Sequence, residues 1–188
     1  MVGGVAMSIA LDTLSSHHHP GHTHPIADPT SDEYHVHADF LIYLEDERYD
    51  LSAESFMTTD QQELHPDAHL HDGNGKVMHV HAEGITFSEF LTSLGFTITD
   101  TCLQTPEGTE YCETADAQLL FYVNGELAEL ATYVPDDDDR LLLYFGDPES
   151  ERIAEYLEAI PDDACYYSGT CPERGVAPPE SCGLTCEL

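Results

Sequence analysis

The chain has 188 residues, 37 of them Asp or Glu against 5 Lys or Arg, for a formal net charge of −32. Binding to a phosphate backbone is disfavoured as a main activity, because it needs clustered Lys and Arg. Hydrophobic residues make up 41% of the chain, so it can build a core and is not a charge-driven disordered protein.

The acids run along the whole length, with the longest block at Asp136 to Asp139. A tail-like acidic segment would concentrate them. A global excess points instead to adaptation to high salt, where counterions screen the repulsion. An ordinary acidic secreted or cation-buffering protein is the alternative.

Residues 1–33 are expected to be an apolar start followed by a flexible His-rich segment. The apolar stretch of MVGGVAMSIALDTLSS ends at Asp12, too short to span a bilayer, and has no basic flank. It reads as the remnant of a signal or anchor, or as a wrongly assigned start; the first leaves a membrane tether or membrane-protein partner open. SSHHHPGHTHP then has the composition of a loose metal-capture segment or of a plain polar linker.

Residues 34–160 read as an α+β domain. In HVHADFLIYL, Val36, Ala38, Phe40, Ile42 and Leu44 alternate with His35, His37, Asp39, Leu41 and Tyr43, which is strand patterning. A charged turn at Glu45, Asp46 and Glu47 leads to a second short strand expected near Tyr49 to Leu51. One helical turn is expected near Ala53 to Met57.

HLHDGNGKVMHVHA follows, an inserted His-rich hairpin. Side chains two apart on a strand share a face, so each His-x-His pair aims two imidazoles at one point. With a three-residue loop, Gly73 to Gly75, His69 faces His79, and His69, His71, His79 and His81 converge. A four-residue loop would pair His71 with Lys76 and send His79 and His81 to the opposite face. Gly75 suits the left-handed position that closes a three-residue loop, which favours convergence.

Thr86 and Glu89 form a capping box ahead of Phe87, Phe90, Leu91 and Leu94, and Gly95 ends that helix. A loop bracketed by Cys102 and Cys112 comes next. Asn124-Gly125 between apolar runs signals a two-residue hairpin. Arg140 to Phe145 reads as a buried strand. Asp147 and Pro148 are expected to open a C-terminal helix with Ile153, Tyr156, Leu157 and Ile160 on its inner face.

Pro161 begins a Cys-rich tail, residues 161–188. An even six Cys fit an oxidising, extracytoplasmic setting. The short Pro/Gly loop between them pairs Cys102 with Cys112. Cys165, Cys171, Cys182 and Cys186 are expected to pair among themselves. A four-cysteine zinc site is disfavoured because no Cys-x-x-Cys occurs.

Hairpin, helix and returning strands resemble the β-grasp (ubiquitin-like) plan, here a mixed sheet with one packed helix. The strings HVHADF, HLHDGNGKVMHVHA, FYVNG, DRLLLYFG and CYYSGTCPERG also resemble a group of archaeal His-rich extracytoplasmic proteins, some of them named protein disulfide isomerases. That resemblance implies an archaeal, surface-facing protein. The missing Cys-x-x-Cys speaks against the isomerase activity.

The candidate metal ligands are therefore His69, His71, His79, His81, His35, His37 and Asp39, in one shared site or two. Imidazole and carboxylate donors suit zinc first and copper(II) second. The expected function is extracytoplasmic transition-metal binding for sensing, storage or delivery, and more a binding module than an enzyme. The main alternative is a hydrolase or lyase using a His-bound metal, with Glu83 as general base on the strand parity of His81. Thiol–disulfide exchange through Cys182 and Cys186 is a third possibility, disfavoured because surrounding acids raise a thiol pKa.

Overall fold

The computed structural model describes residues 34–178; the apolar start, the His-rich segment, Cys182 and Cys186 lie outside the described residues. Among the described residues ten strands form in chain order: β1 (Val36–Leu44), β2 (Glu47–Arg48), β3 (Ala68–His69), β4 (Val77–Val80), β5 (Thr97–Ile98), β6 (Cys102–Gln104), β7 (Glu110–Cys112), β8 (Gln118–Val123), β9 (Glu126–Leu127) and β10 (Asp139–Gly146). Three α-helices join them: α1 (Phe87–Ser93), α2 (Arg152–Ala159) and α3 (Ala164–Ser168).

The fold is α+β around a mixed sheet in the order β3-β4-β1-β10-β8-β9, with β2 also on β1. β1 and β10 run parallel at its centre, with Phe40 opposite Leu141, and the other pairs are antiparallel. A separate three-stranded sheet, β5-β6-β7, carries the Cys102–Cys112 disulfide directly across β6 and β7. The expected loop between these cysteines is thus a hairpin.

The alternation read in β1 divides the protein into two layers. Val36, Ala38, Phe40, Ile42 and Leu44 enter the main core with Phe87, Phe90 and Leu91 of α1. Leu41 enters a second cluster with Leu142, Tyr144, Ile153, Tyr156 and Ile160, under α2. His37 and Asp39 sit farther along that second face of the sheet, and α3 packs against β1.

Local chemistry explains most boundaries. Thr86 Oγ1 accepts from Glu89 N–H while Glu89 accepts from Thr86 N–H, so the capping box starts α1 as expected. Asn124 and Gly125 take φ of 51° and 86°, the pair of left-handed residues that a two-residue hairpin needs. The strand expected near Tyr49 to Leu51 forms earlier, at Glu47–Arg48, because Glu45 and Asp46 adopt φ of 51° and 68° and turn the chain at once. The helix expected from Asp147 and Pro148 begins only at Arg152. The Asp147 carboxylate accepts from Glu149 N–H and holds a turn ahead of it.

The His hairpin has the register that brings its histidines together: His69 stands opposite His79, and Ala68 opposite Val80. The reason differs from the expected one. Asp72 and Gly73 take the left-handed conformations, with φ of 55° and 70°. Gly75 is needed for space instead: a Cβ there would lie 2.4 to 2.7 Å from the backbone of Leu51 and Ser52.

Candidate metal centre

Three adjacent strands build the centre. His37 on β1 faces His79 on β4, and His79 faces His69 on β3, so three imidazoles stand in a row across the sheet. His35 and His81 extend the patch at one end and His71 at the other. Ring centroids are 4.7 Å apart for His37 and His79, 4.1 Å for His71 and His79, and 5.7 Å for His69 and His79. His35 lies 4.5 Å from His37 and 4.3 Å from His81, and His69 lies 4.9 Å from His81.

The patch runs from solvent inward. His35 is exposed and His81 half-buried, whereas His37, His69, His71 and His79 are each no more than 2% exposed. Ring nitrogens of His35, His37 and His79 come within 4.8 Å of one another, the arrangement that could hold an ion. Tetrahedral zinc with Zn–N bonds of about 2.0–2.1 Å needs its nitrogens about 3.3 Å apart, so a modest inward movement would complete that triad. His35, at the exposed corner, is the candidate ligand with the fewest constraints from burial.

α3 packs against the inner part of the patch through Tyr167 and Ser168. The Tyr167 ring lies 5.1 Å from that of His79 and 5.7 Å from that of His37. Ser168 Oγ is 2.8 Å from His37 Nδ1 and donates to Asp137 Oδ1 at 2.5 Å. Asp137 Oδ1 also accepts from the His37 backbone N–H, so one carboxylate holds this residue by main chain and, through Ser168, by ring. His71 Nδ1 is 2.9 Å from Asp72 Oδ2. Carboxylates and hydroxyls of this kind fix the orientation of ligating imidazoles.

Asp39 continues the His37 face toward α3. Its Oδ2 accepts from Ala164 N–H at 2.8 Å, at the start of that helix. Burial pushes its pKa up to about 6; the backbone donors of Ala164 and Asp163 oppose this, and the nearby Asp163 and Asp162 charges add to it. It lies outside the group formed by His35, His37 and His79, as do His69, His71 and His81. Asp72 beside His71 and Asp137 beside His37 favour a cation there over an anion.

Ser168, Tyr167 and Asp137 are absent from the ligand set that the sequence suggests. The string CYYSGTC marks their neighbourhood only as part of a resemblance, and Asp137 is hidden in an acidic run. His65 stands apart, its Nδ1 accepting from Asp67 N–H. Glu83 is exposed in a turn beyond the end of β4, so it does not share strand parity with His81. Comparison with protein-family models, curated proteins and solved structures finds no match, which leaves the chemistry of this centre to carry the functional conclusion.

Proposed function

We propose that the protein binds a transition-metal ion through a histidine centre at β1 and β4, and serves as an extracytoplasmic binder for sensing, storage or delivery. The supporting observation is the approach of His35, His37 and His79 ring nitrogens to within 4.8 Å. His69, His71 and His81 adjoin that triad and are the further ligand candidates, with Asp39 beside them. An all-imidazole set with neighbouring carboxylates suits zinc first and copper(II) second. The Cys102–Cys112 and Cys165–Cys171 disulfides support an oxidising compartment, and no helix among the described residues is long and apolar enough to cross a membrane. The acid excess supports a high-salt habitat and the archaeal resemblance. The central parallel pair β1 and β10, flanked by antiparallel partners and with Phe87 and Phe90 of α1 packed on Phe40, supports a β-grasp-like plan.

Equilibrium titration of the full chain with zinc and copper(II) tests the proposal. The chain should carry Ser in place of His17, His18, His19, His22 and His24, so that the N-terminal histidines do not contribute. The unaltered centre should bind a metal, and adding His37→Ala with His79→Ala should abolish binding. If that double variant binds as well as its parent, the centre is not the metal site.

A further inference from the structure

We infer that Ser168, set on the disulfide-closed loop from Cys165 to Cys171, is a positioning residue that fixes the proton of His37 on Nδ1 and presents Nε2 as its metal-binding atom. The inference rests on the metal-binding proposal and adds to it a residue outside the ligand set.

Proton counting gives the direction. A serine hydroxyl has one proton, and a carboxylate oxygen only accepts. Ser168 donates that proton to Asp137 Oδ1 at 2.5 Å. Its contact with His37 Nδ1 at 2.8 Å must then be made by the ring N–H donating to Ser168 Oγ. A neutral imidazole with a proton on Nδ1 keeps its lone pair on Nε2. Asp137 is well placed to hold the chain of bonds, because it also accepts from the backbone N–H of His37 at 3.0 Å.

The loop geometry shows what holds Ser168 there. α3 has five residues, too few to be a stable helix by itself. The Cys165–Cys171 disulfide closes the segment, and Gly169 takes φ of 70° to end the helix with its N–H on the Cys165 carbonyl. Thr170 Oγ1 donates to Asp138 Oδ2 at 2.6 Å. Two hydroxyls on the loop thus meet two consecutive carboxylates beside β1. Tyr167, next to Ser168, brings its ring 5.7 Å from that of His37 and meets His79 edge-on at 5.1 Å. Arg174 pairs with Asp163 at 2.8 Å and ties the far side of the loop to its beginning.

Nitrogen-15 NMR of the metal-free full chain, with the His37 signals assigned by their loss in His37→Gln, reads the proton position directly. The expected wild-type result is a protonated Nδ1 and a bare Nε2 on His37, with Ser168→Ala mixing in the other tautomer. Ser168→Ala should also weaken zinc binding by about tenfold to a hundredfold, as outer hydrogen-bond partners of metal ligands generally do. Ser168→Thr, which keeps the hydroxyl, should return the affinity to within a few-fold of wild type. A wild-type His37 protonated on Nε2 would overturn the inference without recourse to any variant. So would a Ser168→Ala chain that binds zinc as tightly as wild type, or a Thr variant as weak as the Ala one. Failure of the wild-type chain to bind zinc or copper(II) would instead overturn the underlying metal-binding proposal, and the NMR spectrum would still report the Ser168 bond.

Discussion

Asp139 shows what a single side chain can decide in this fold. It is buried, with Oδ1 accepting from Asn124 Nδ2 at 2.7 Å and Oδ2 accepting from Tyr133 O–H and from Asp136 N–H. The Tyr133 hydroxyl is held well above the usual tyrosine range by its burial and then by this carboxylate. Asp139→Ala would strand those donors, and thermal unfolding should show a loss of about 2–4 kcal/mol. The centre gives a second residue-scale expectation. His must be neutral to ligate, so metal affinity should fall as pH drops below about 6. Competition titrations at several pH values check this; affinity that holds steady to acid pH would point to carboxylate rather than imidazole ligands. The His-x-His pairs are legible in sequence because strand alternation sends both rings to one face. The His37 to Ser168 contact is not, since its partners are 131 residues apart and no local spacing links them.

Elements are legible where their chemistry is local. The capping box of α1 and the Asn124-Gly125 turn each depend on neighbouring residues alone, and both form as read. The late start of α2 is not legible, because an Asp-Pro pair serves a turn as readily as a helix start. Gly75 stands out in sequence as a turn residue, yet the cause of its being glycine is Leu51, on another segment of chain. That difference is testable. Gly75→Ala should destabilise the fold by about 1–3 kcal/mol through overpacking against backbone, measured by denaturant unfolding. A change within about 0.5 kcal/mol, the range of an ordinary surface substitution, would show that the hairpin has room to move away. The tail containing α3 can be read for its cysteines but not for its docking on β1, which depends on Asp39, Asp137 and Asp138 rather than on apolar periodicity.

At the scale of the whole molecule, the net charge of −32 outweighs every other feature outside the core. Diluting salt from about 1 M to about 0.01 M stretches the screening length from about 3 to about 30 Å. Repulsion among the acids should then lower Tm progressively as potassium chloride is removed. A melting temperature independent of salt would contradict adaptation to high salt. The two-sided sheet is legible from β1 alone. The division of its second face into an apolar half under α2 and a histidine half under α3 is not, because it depends on which strands become neighbours. The centre lies in that second half, and its ligand type is the most direct test of the central claim. Zinc-edge X-ray absorption should be recorded on the zinc-loaded full chain with His17, His18, His19, His22 and His24 changed to Ser. The expected spectrum has nitrogen at about 2.0–2.1 Å with the longer-range scattering of several imidazoles, and no sulfur at about 2.3 Å. Sulfur scattering, oxygen donors without imidazole scattering, or a chain that retains no zinc would contradict it.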